Sequence, residues 1–181
     1  MPLSPPPERR HIHTRTVEVL GYARTDGLYD VEARLTDAKT YGFANEHRGW
    51  VAPGEPIHDM LIRLTIDGEM TVRAVEATTD AGPFAICGAI APDYERLKGA
   101  VVGPGWRARI KQLFGGVKGC THLTELLGVM ATVAYQTLYA RRQEQAEQNP
   151  EERPAMLDTC HALASDGEAV KRFWPRFYSG S

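Results

Sequence analysis

Alternating apolar and polar residues mark two parts of the chain as pairs of β-strands joined by tight turns. The first pair runs over Thr14–Arg24 and Leu28–Thr36, with the turn dipeptide Asp26-Gly27 between them. A second Asp-Gly turn separates the alternating segments 60–66 and 70–76. Because consecutive strands usually pair, two hairpins in series predict an antiparallel meander of about four strands.

Helical spacing of apolar residues replaces this alternation in the second half of the chain. Residues 83–98 show it weakly, and a short helix is predicted over 106–114, ahead of a pair of glycines. The clearest pattern predicts a long helix over 121–145, and a last helical portion covers about 154–173, interrupted near Asp166-Gly167. Strands first and helices after predict an α+β fold in which helices cover one face of the sheet.

The remaining segments lack either period. Residues 1–13 are rich in proline and predict a disordered leader, followed by a single domain over 14–178. Residues 38–55, which contain Gly42, Gly49, Pro53 and Gly54, predict an irregular loop. The sheet face away from the helices is expected to be open or to meet a partner, including a second copy of the chain.

Composition narrows the partners and the compartment. The chain has 181 residues, a net charge of -2 and three cysteines. This charge gives no overall attraction to nucleic acid, which is therefore an unlikely partner, or to acidic membranes. The longest apolar run, Leu123–Tyr139, is too polar to span a bilayer. An odd cysteine count and no signal sequence at the start predict a reducing, cytoplasmic location.

A cysteine and a histidine stand at the start of the longest predicted helix. A thiol at Cys120 feels the positive end of the helix dipole, which favours the thiolate. Side chains two residues apart diverge on a regular helix of about 3.6 residues per turn. Cys120 and His122 therefore converge only if Cys120 precedes the first turn, as it does if Thr121 is the N-cap. A buried cysteine beside a surface histidine is the alternative.

His58 and Asp59 open the third predicted strand. Neighbours in a strand point to opposite faces, so one of them, or both before regular pleating begins, can reach a shared site. A solvated turn is the alternative, and it fits Asp59 better than His58, which lies between Ile57 and Met60.

The other cysteines are less specific signals. Cys87 has apolar neighbours at the junction between the second hairpin and the helices, which is typical of a core cysteine. Cys160 lies on an apolar helical stripe, and whether Cys160 and His161 join a site is left open. Cysteine, histidine and aspartate together are the ligands of zinc or of an iron–sulfur unit, although no Cys-x-x-Cys spacing occurs.

Three motifs resemble a bacterial family that is classified as a domain of unknown function. They are His-Asp-Met at 58–60, Gly-Cys-Thr-His-Leu-Thr-Glu-Leu-Leu at 119–127 and Leu-Asp-Thr-Cys-His-Ala at 157–162. The resemblance covers nearly the whole chain and implies no activity.

A more distant resemblance links residues 58–138 to the U-type (NifU-like) iron–sulfur cluster scaffolds. The shared order is an aspartate near a strand start, an Asp-Gly turn, a return strand, a cysteine before the helices, and a later cysteine beside a histidine. The resemblance implies a scaffold-like fold in which Asp59, Cys87, Cys120 and His122 converge at one end of the sheet. His58 stands at about the place of the first scaffold cysteine, which favours zinc over a labile cluster.

Three functions follow from these residues. The first is binding of zinc or iron, with the ligands His58, Asp59, Cys87, Cys120 and His122. The second is a thiol-dependent enzyme in which Cys120 is the nucleophile, His122 or His58 the base, and Asp59 the orienting group. The third is a non-catalytic interaction module that docks a partner through the open sheet face or the helix from residue 121.

Overall fold

The two predicted hairpins form one four-stranded antiparallel sheet in the computed structural model, which describes residues 3–180. Its strands lie side by side in the order in which the chain forms them, which confirms the predicted meander, and with the helices that follow this sheet confirms the α+β class. The strands are β1 (His13–Ala23), β2 (Tyr29–Lys39), β3 (Phe43–Asn45), β4 (Gly49–Val51), β5 (Pro56–Ile66) and β6 (Val72–Ala81).

Residues 38–55 are more ordered than predicted. Strand β2 continues to Lys39, and β3 and β4 pair as a separate two-stranded antiparallel sheet, so the prediction of an irregular loop is wrong. The indole ring of Trp50 lies over Gly42, where an added Cβ would come within 2.4 Å of the ring. The Asn45 side chain accepts hydrogen bonds from two backbone N–H groups of the turn that joins β3 to β4. A glycine and an asparagine thus order a segment without hydrophobic alternation.

Within residues 3–180, four α-helices follow the sheet. The helices are α1 (Trp106–Phe114), α2 (Thr121–Thr137), α3 (Tyr139–Gln148) and α4 (Glu168–Phe173). Helix α1 has the predicted bounds, but the long helix predicted over 121–145 is interrupted at Leu138. The Thr137 hydroxyl donates to the carbonyl of Val133, a back-bond that competes with regular helix geometry. Short 3₁₀ helices cover Ala85–Leu97, Gly116–Lys118, His161–Leu163 and Pro175–Phe177.

One face of α2 and one face of the sheet form the core. The buried residues of α2 follow the predicted stripe and include Leu123, Leu126 and Met130. They belong to one buried cluster with alternate residues of β2 and β5: Val31, Ala33, Leu35, Met60, Ile62 and Leu64. The opposite sheet face carries ion pairs, among them those of Arg63 with Glu32 and Glu76. Helices therefore cover one sheet face, as predicted.

The chain forms two compact units, of which the first ends at Leu138 and the second begins at Tyr139. In the second unit, the predicted helical portion over 154–173 is mostly wrong, because helix is confined to two short segments. Asp158 has a φ of 62°, outside the helical region, and its carboxylate accepts a hydrogen bond from the backbone of Ser165. Cys160 is exposed and does not lie on a buried stripe.

The predicted leader, residues 1–13, overlaps the first strand by one residue. Met1 and Pro2 lie outside the described residues, and residues 3–12 form no helix or strand. His13 is already the first residue of β1.

Candidate metal centre

Three charged or titratable side chains form a row across three adjacent strands. Arg15 of β1 is paired with Asp37 of β2, and Asp37 is paired with His58 of β5. Alternate residues of β2 point into the core, and Asp37 continues that alternation by two residues beyond Leu35. The row therefore lies on the helix-covered face, and Asp37 is only 2% exposed there.

Asp37 accepts four hydrogen bonds in this buried position. Arg15 donates from Nε to Oδ1 over 2.9 Å and from Nη2 to Oδ2 over 2.8 Å. His13 Nε2 lies 2.8 Å from Oδ1, and His58 Nδ1 lies 3.0 Å from Oδ2. Burial works to raise the pKa of Asp37, but the Arg15 ion pair and the His13 hydrogen bond outweigh it and lower that pKa to about 2. The carboxylate is ionised at neutral pH.

Helix α2 brings a second histidine to the same carboxylate. His122 Nε2 lies 3.7 Å from Asp37 Oδ2. The rings of His122 and His58 lie with their centroids 3.9 Å apart and their planes inclined by 35°. The cluster of Asp37, His58 and His122 thus joins two strands of the sheet to the first turn of the helix.

Tyr94 fixes the start of α2. Its buried hydroxyl accepts from the backbone N–H of Cys120 over 3.1 Å and lies 2.9 Å from the Cys120 carbonyl oxygen and 2.7 Å from Thr124 Oγ1. Helix starts leave N–H groups without intrahelical partners, and no side chain of α2 itself caps this one. At Gly119, an added Cβ would lie 2.6 Å from the Cβ of Phe114, so the chain enters the helix by a close approach that glycine permits.

Both histidines of the cluster are held in the neutral form. Burial lowers the pKa of His58, and the nearby His122 lowers it further, against the opposing effect of Asp37. Burial also lowers the pKa of His122, with a contribution from the Arg15 charge. Neutral imidazoles and an ionised carboxylate are the protonation states that bind metal ions.

The spacing of the three side chains fits one metal ion. Each of Asp37, His58 and His122 offers a ligand atom, and these atoms lie within 4.8 Å of one another. Tetrahedral bonds of about 2.0–2.2 Å place ligand atoms roughly 3.4 Å apart. The separations of 3.0 and 3.7 Å from Asp37 Oδ2 to the two histidine nitrogens bracket that value.

Cys120 lies beside this cluster. Its Sγ is 4.0 Å from His122 Nδ1 and 3.7 Å from Met60 Sδ. The N-cap residue of α2 is Cys120 and the first helical residue is Thr121, so the prediction of Thr121 as the N-cap is wrong by one residue. The cysteine still precedes the first turn. The predicted condition for the convergence of Cys120 and His122 is met.

Two of the residues suggested by the sequence lie apart from this cluster. Asp59 points to the opposite sheet face, where Arg34 donates to both of its oxygens over 2.8 and 2.6 Å. Regular pairing of β2 with β5 through residues 58 and 59 sends the two neighbours to opposite faces. Cys87 packs beside Gly82, and a Cβ added at Gly82 would lie 2.7 Å from the Cβ of Cys87.

Asp37 is the site residue that the sequence analysis missed. The predicted second strand stopped at Thr36, one residue before Asp37 and three before the end of β2 at Lys39. Extended by one residue, the alternation of Val31, Ala33 and Leu35 places an aspartate at a core-facing position. A carboxylate at such a position requires a partner, and that signal was present in the sequence.

An open cleft of about 440 Å³ leads to the cluster from the end of the sheet. Its floor includes Ile57, His58 and Asp37, and its wall includes Tyr41 and Phe43 from the segment after β2. A molecule in the cleft would therefore reach two of the three cluster residues.

The comparisons with known proteins identify a family and no function. No curated protein and no solved structure matches the chain. The likeness to U-type scaffolds is not confirmed by them. Within residues 3–180, no helix has both the length and the apolar character needed to cross a membrane. The sequence model of the proteins of unknown function called DUF2889 matches residues 13–136, and the chain belongs to that family.

Proposed function

We propose that the protein binds one divalent transition metal ion, zinc or ferrous iron, through Asp37, His58 and His122. The observation that carries the proposal is the convergence of three ligand atoms within 4.8 Å from β2, β5 and α2. Two histidines and one carboxylate are ligands found in catalytic zinc sites and in non-haem iron sites.

The surroundings of the three ligands support this assignment. Asp37 Oδ2 and His58 Nδ1 are 3.0 Å apart, so a metal ion would take the place of the proton that they share. Arg15 and His13 hold the other carboxylate oxygen and fix its orientation. Such outer partners orient ligands and tune affinity.

Three protein ligands leave coordination positions for water or a substrate, as catalytic sites do, whereas structural zinc sites have four. The cleft reaches the cluster at Asp37 and His58. The function proposed is therefore a metal-dependent reaction in which the ion acts as a Lewis acid or activates a bound molecule.

The direct test is metal titration of the full chain after treatment with a chelator. Isothermal titration with Zn²⁺ and anaerobic titration with Fe²⁺ should each be run on the native protein and on His58→Ala, His122→Ala and Asp37→Asn. We expect one equivalent bound by the native chain and affinity at least about 100-fold weaker in each variant, because loss of an outer partner of a ligand alone costs about 10–100-fold.

Asp59→Asn is the matched control, because Asp59 is the chain neighbour of His58 on the opposite face. Cys87→Ser is the corresponding control for the cysteine suggested by the sequence. Both should keep the native stoichiometry. Absence of stoichiometric binding by the native chain, or loss of it in Asp59→Asn with retention in Asp37→Asn, would overturn the assignment.

A second function is favoured by the line of contacts from Cys120 through His122 to Asp37. His122 Nδ1 faces the thiol at 4.0 Å, and Nε2 faces the carboxylate at 3.7 Å. That order of nucleophile, base and orienting group is the arrangement of a thiol enzyme, with Asp37 in the place that the sequence analysis gave to Asp59.

Alkylation kinetics separate the two functions. Cys120 should react with iodoacetamide faster than Cys87 in the metal-free protein if it is a nucleophile, and His122→Ala should remove the difference. Equal alkylation rates at Cys120 and Cys87, which are both partly buried, would rule out the thiol enzyme and leave metal binding as the remaining function.

A further inference from the structure

The cleft beside the cluster has a wall of two aromatic rings and one cation. Tyr41 and Phe43 meet edge to face, with centroids 6.5 Å apart. Lys39 Nζ lies 5.1 Å from the centroid of each ring and donates to Tyr41 Oη over 3.1 Å. Cation–π contacts within about 6 Å hold an ammonium group in place. The ammonium of Lys39 is therefore positioned at the cleft by both rings.

The two cations that line the cleft differ in their partners. Arg15 is bonded to Asp37 through Nε and Nη2 and to Glu125 through Nη1. Lys39, in contrast, forms no ion pair with any residue in the range 3–180. An ammonium has three donors, and Tyr41 takes one of them. The uncompensated positive charge of the cleft is therefore that of Lys39.

The wall that holds these groups is anchored to the sheet. The Lys39 carbonyl accepts from the backbone N–H of Gly54 over 2.8 Å. The Asn45 side chain donates to the Pro83 carbonyl over 3.1 Å and so ties β3 to the segment after β6. The apolar floor is Ile57, which is 8% exposed. A flat apolar group in the cleft would lie between this floor and the two rings.

We propose that the cleft binds a small aromatic carboxylic acid. The carboxylate pairs with Lys39, the ring lies along Tyr41 and Phe43, and the opposite end of the molecule faces Asp37 and His58. The volume of about 440 Å³ falls in the usual range for small-molecule sites. This inference rests on the proposed function only for what happens at the inner end, since the contacts that hold the acid involve no metal.

The spacing along β2 agrees with such a ligand. Lys39 and Asp37 are two residues apart on one strand, which places their backbones about 7 Å apart. One aromatic ring with its carboxylate bridges a gap of that order. The acid would therefore present its ring substituents, and not its carboxylate, to the cluster.

The test uses benzoate as the probe and benzyl alcohol as its neutral counterpart, with the full chain kept metal-free by chelator. Isothermal titration should show binding of benzoate and at least about tenfold weaker binding of the alcohol. Lys39→Met should weaken benzoate binding at least about tenfold, as loss of a charge-assisted hydrogen bond does. Lys39→Arg, which keeps the charge, should restore most of the affinity.

Lys118→Met is the control for a loss of one positive charge elsewhere on the first unit, and it should bind benzoate as the native chain does. Phe43→Ala tests the ring contact and should weaken benzoate by several-fold. Thermal unfolding of each variant verifies that it is folded. No binding of benzoate, equal binding of the alcohol, or an unchanged Lys39→Met would overturn the inference.

The same variants keep this inference separate from the metal assignment. His122→Ala removes a proposed metal ligand that does not line the cleft, so it should abolish metal binding and leave benzoate binding of the metal-free protein intact. Lys39→Met should weaken benzoate binding and leave metal binding intact. A protein that binds benzoate through Lys39 but no metal would refute the proposed function and preserve the inference.

Discussion

The two compact units differ in what holds them together. The first, which ends at Leu138, has a continuous buried core that the sheet shares with α2. Among the described residues of the second, only Leu157 and Val170 are buried hydrophobics, and Asp158 makes side-chain hydrogen bonds with Arg153 and Ser165. Apolar burial is the main source of folding free energy, so the first unit carries most of the stability.

The same division separates the candidate chemistry from the rest of the chain. Asp37, His58 and His122 all lie in the first unit, and the family match ends at residue 136, close to the unit's last residue, Leu138. The family is therefore recognised by the unit that carries the cluster and the core together. The following predictions test this comparison, from the largest expected effect to the smallest.

Leu126→Ala should lower the free energy of unfolding by about 3 kcal/mol, the usual cost of a cavity in a packed core. Leu126 is 1% exposed at the centre of the α2 stripe. Urea unfolding followed by far-ultraviolet circular dichroism measures the change. Val170→Ala in the second unit is the matched control, and an equal effect on the main transition would contradict the comparison.

Asp37→Asn should cost about 2 kcal/mol at pH 7, since one pKa unit corresponds to about 1.4 kcal/mol. The folded pKa of Asp37 is lowered from 3.8 to about 2, so its stabilisation is complete above the unfolded value. It is lost as the pH falls from about 4 to about 2. Urea unfolding across this window should therefore show a steeper fall for the native chain than for the variant. If the free energy of unfolding changed with pH equally in both proteins, the Arg15 ion pair would not be what stabilises the Asp37 carboxylate.

Tyr94→Phe should cost about 1–2 kcal/mol, because it leaves the Cys120 N–H and the Thr124 hydroxyl without their buried partner. The Phe114 ring, which stacks on Tyr94 with centroids 4.3 Å apart, keeps the apolar contact in the variant. Chemical denaturation measures the loss. We also expect this variant to bind metal more weakly than the native chain, because the start of α2 positions His122. Unchanged metal affinity would show that the contacts of Tyr94 do not position His122.

The double change Cys160→Ser with His161→Ala should leave metal affinity within about twofold of native. All three proposed ligand atoms come from residues before Leu138, and both changed residues are exposed in the second unit. The metal titration described above measures it. A clear loss of affinity would bring the second unit into the site.

Elements with strong hydrophobic patterns could be predicted from the sequence. The two hairpins, the bounds of α1 and the buried stripe of α2 each follow from local period and turn chemistry. The segment that forms β3 and β4 could not, because its order comes from the packing of Trp50 on Gly42 and from the local Asn45 hydrogen bonds, and neither produces a hydrophobic period.

Two of the three cluster residues could be predicted, and the third could not. His58 and His122 were named from their neighbours in the sequence. Asp37 was missed because the predicted second strand ended before it. Asp59 was preferred because the sequence does not show whether regular alternation has already begun at His58. In the structure β2 runs through Asp37 to Lys39, and β5 is regularly paired at His58 and Asp59.

The row of Arg15, Asp37 and His58 also makes the two Asp-Gly turns unequal under insertion and deletion. Removing one residue from the turn between β1 and β2 would shift their register by one and direct Arg15 to the opposite face of the sheet. A deletion in the turn between β5 and β6 would leave the row untouched, since β6 supplies none of its members. The row therefore fixes the length of the first turn and places no constraint of its own on the length of the second.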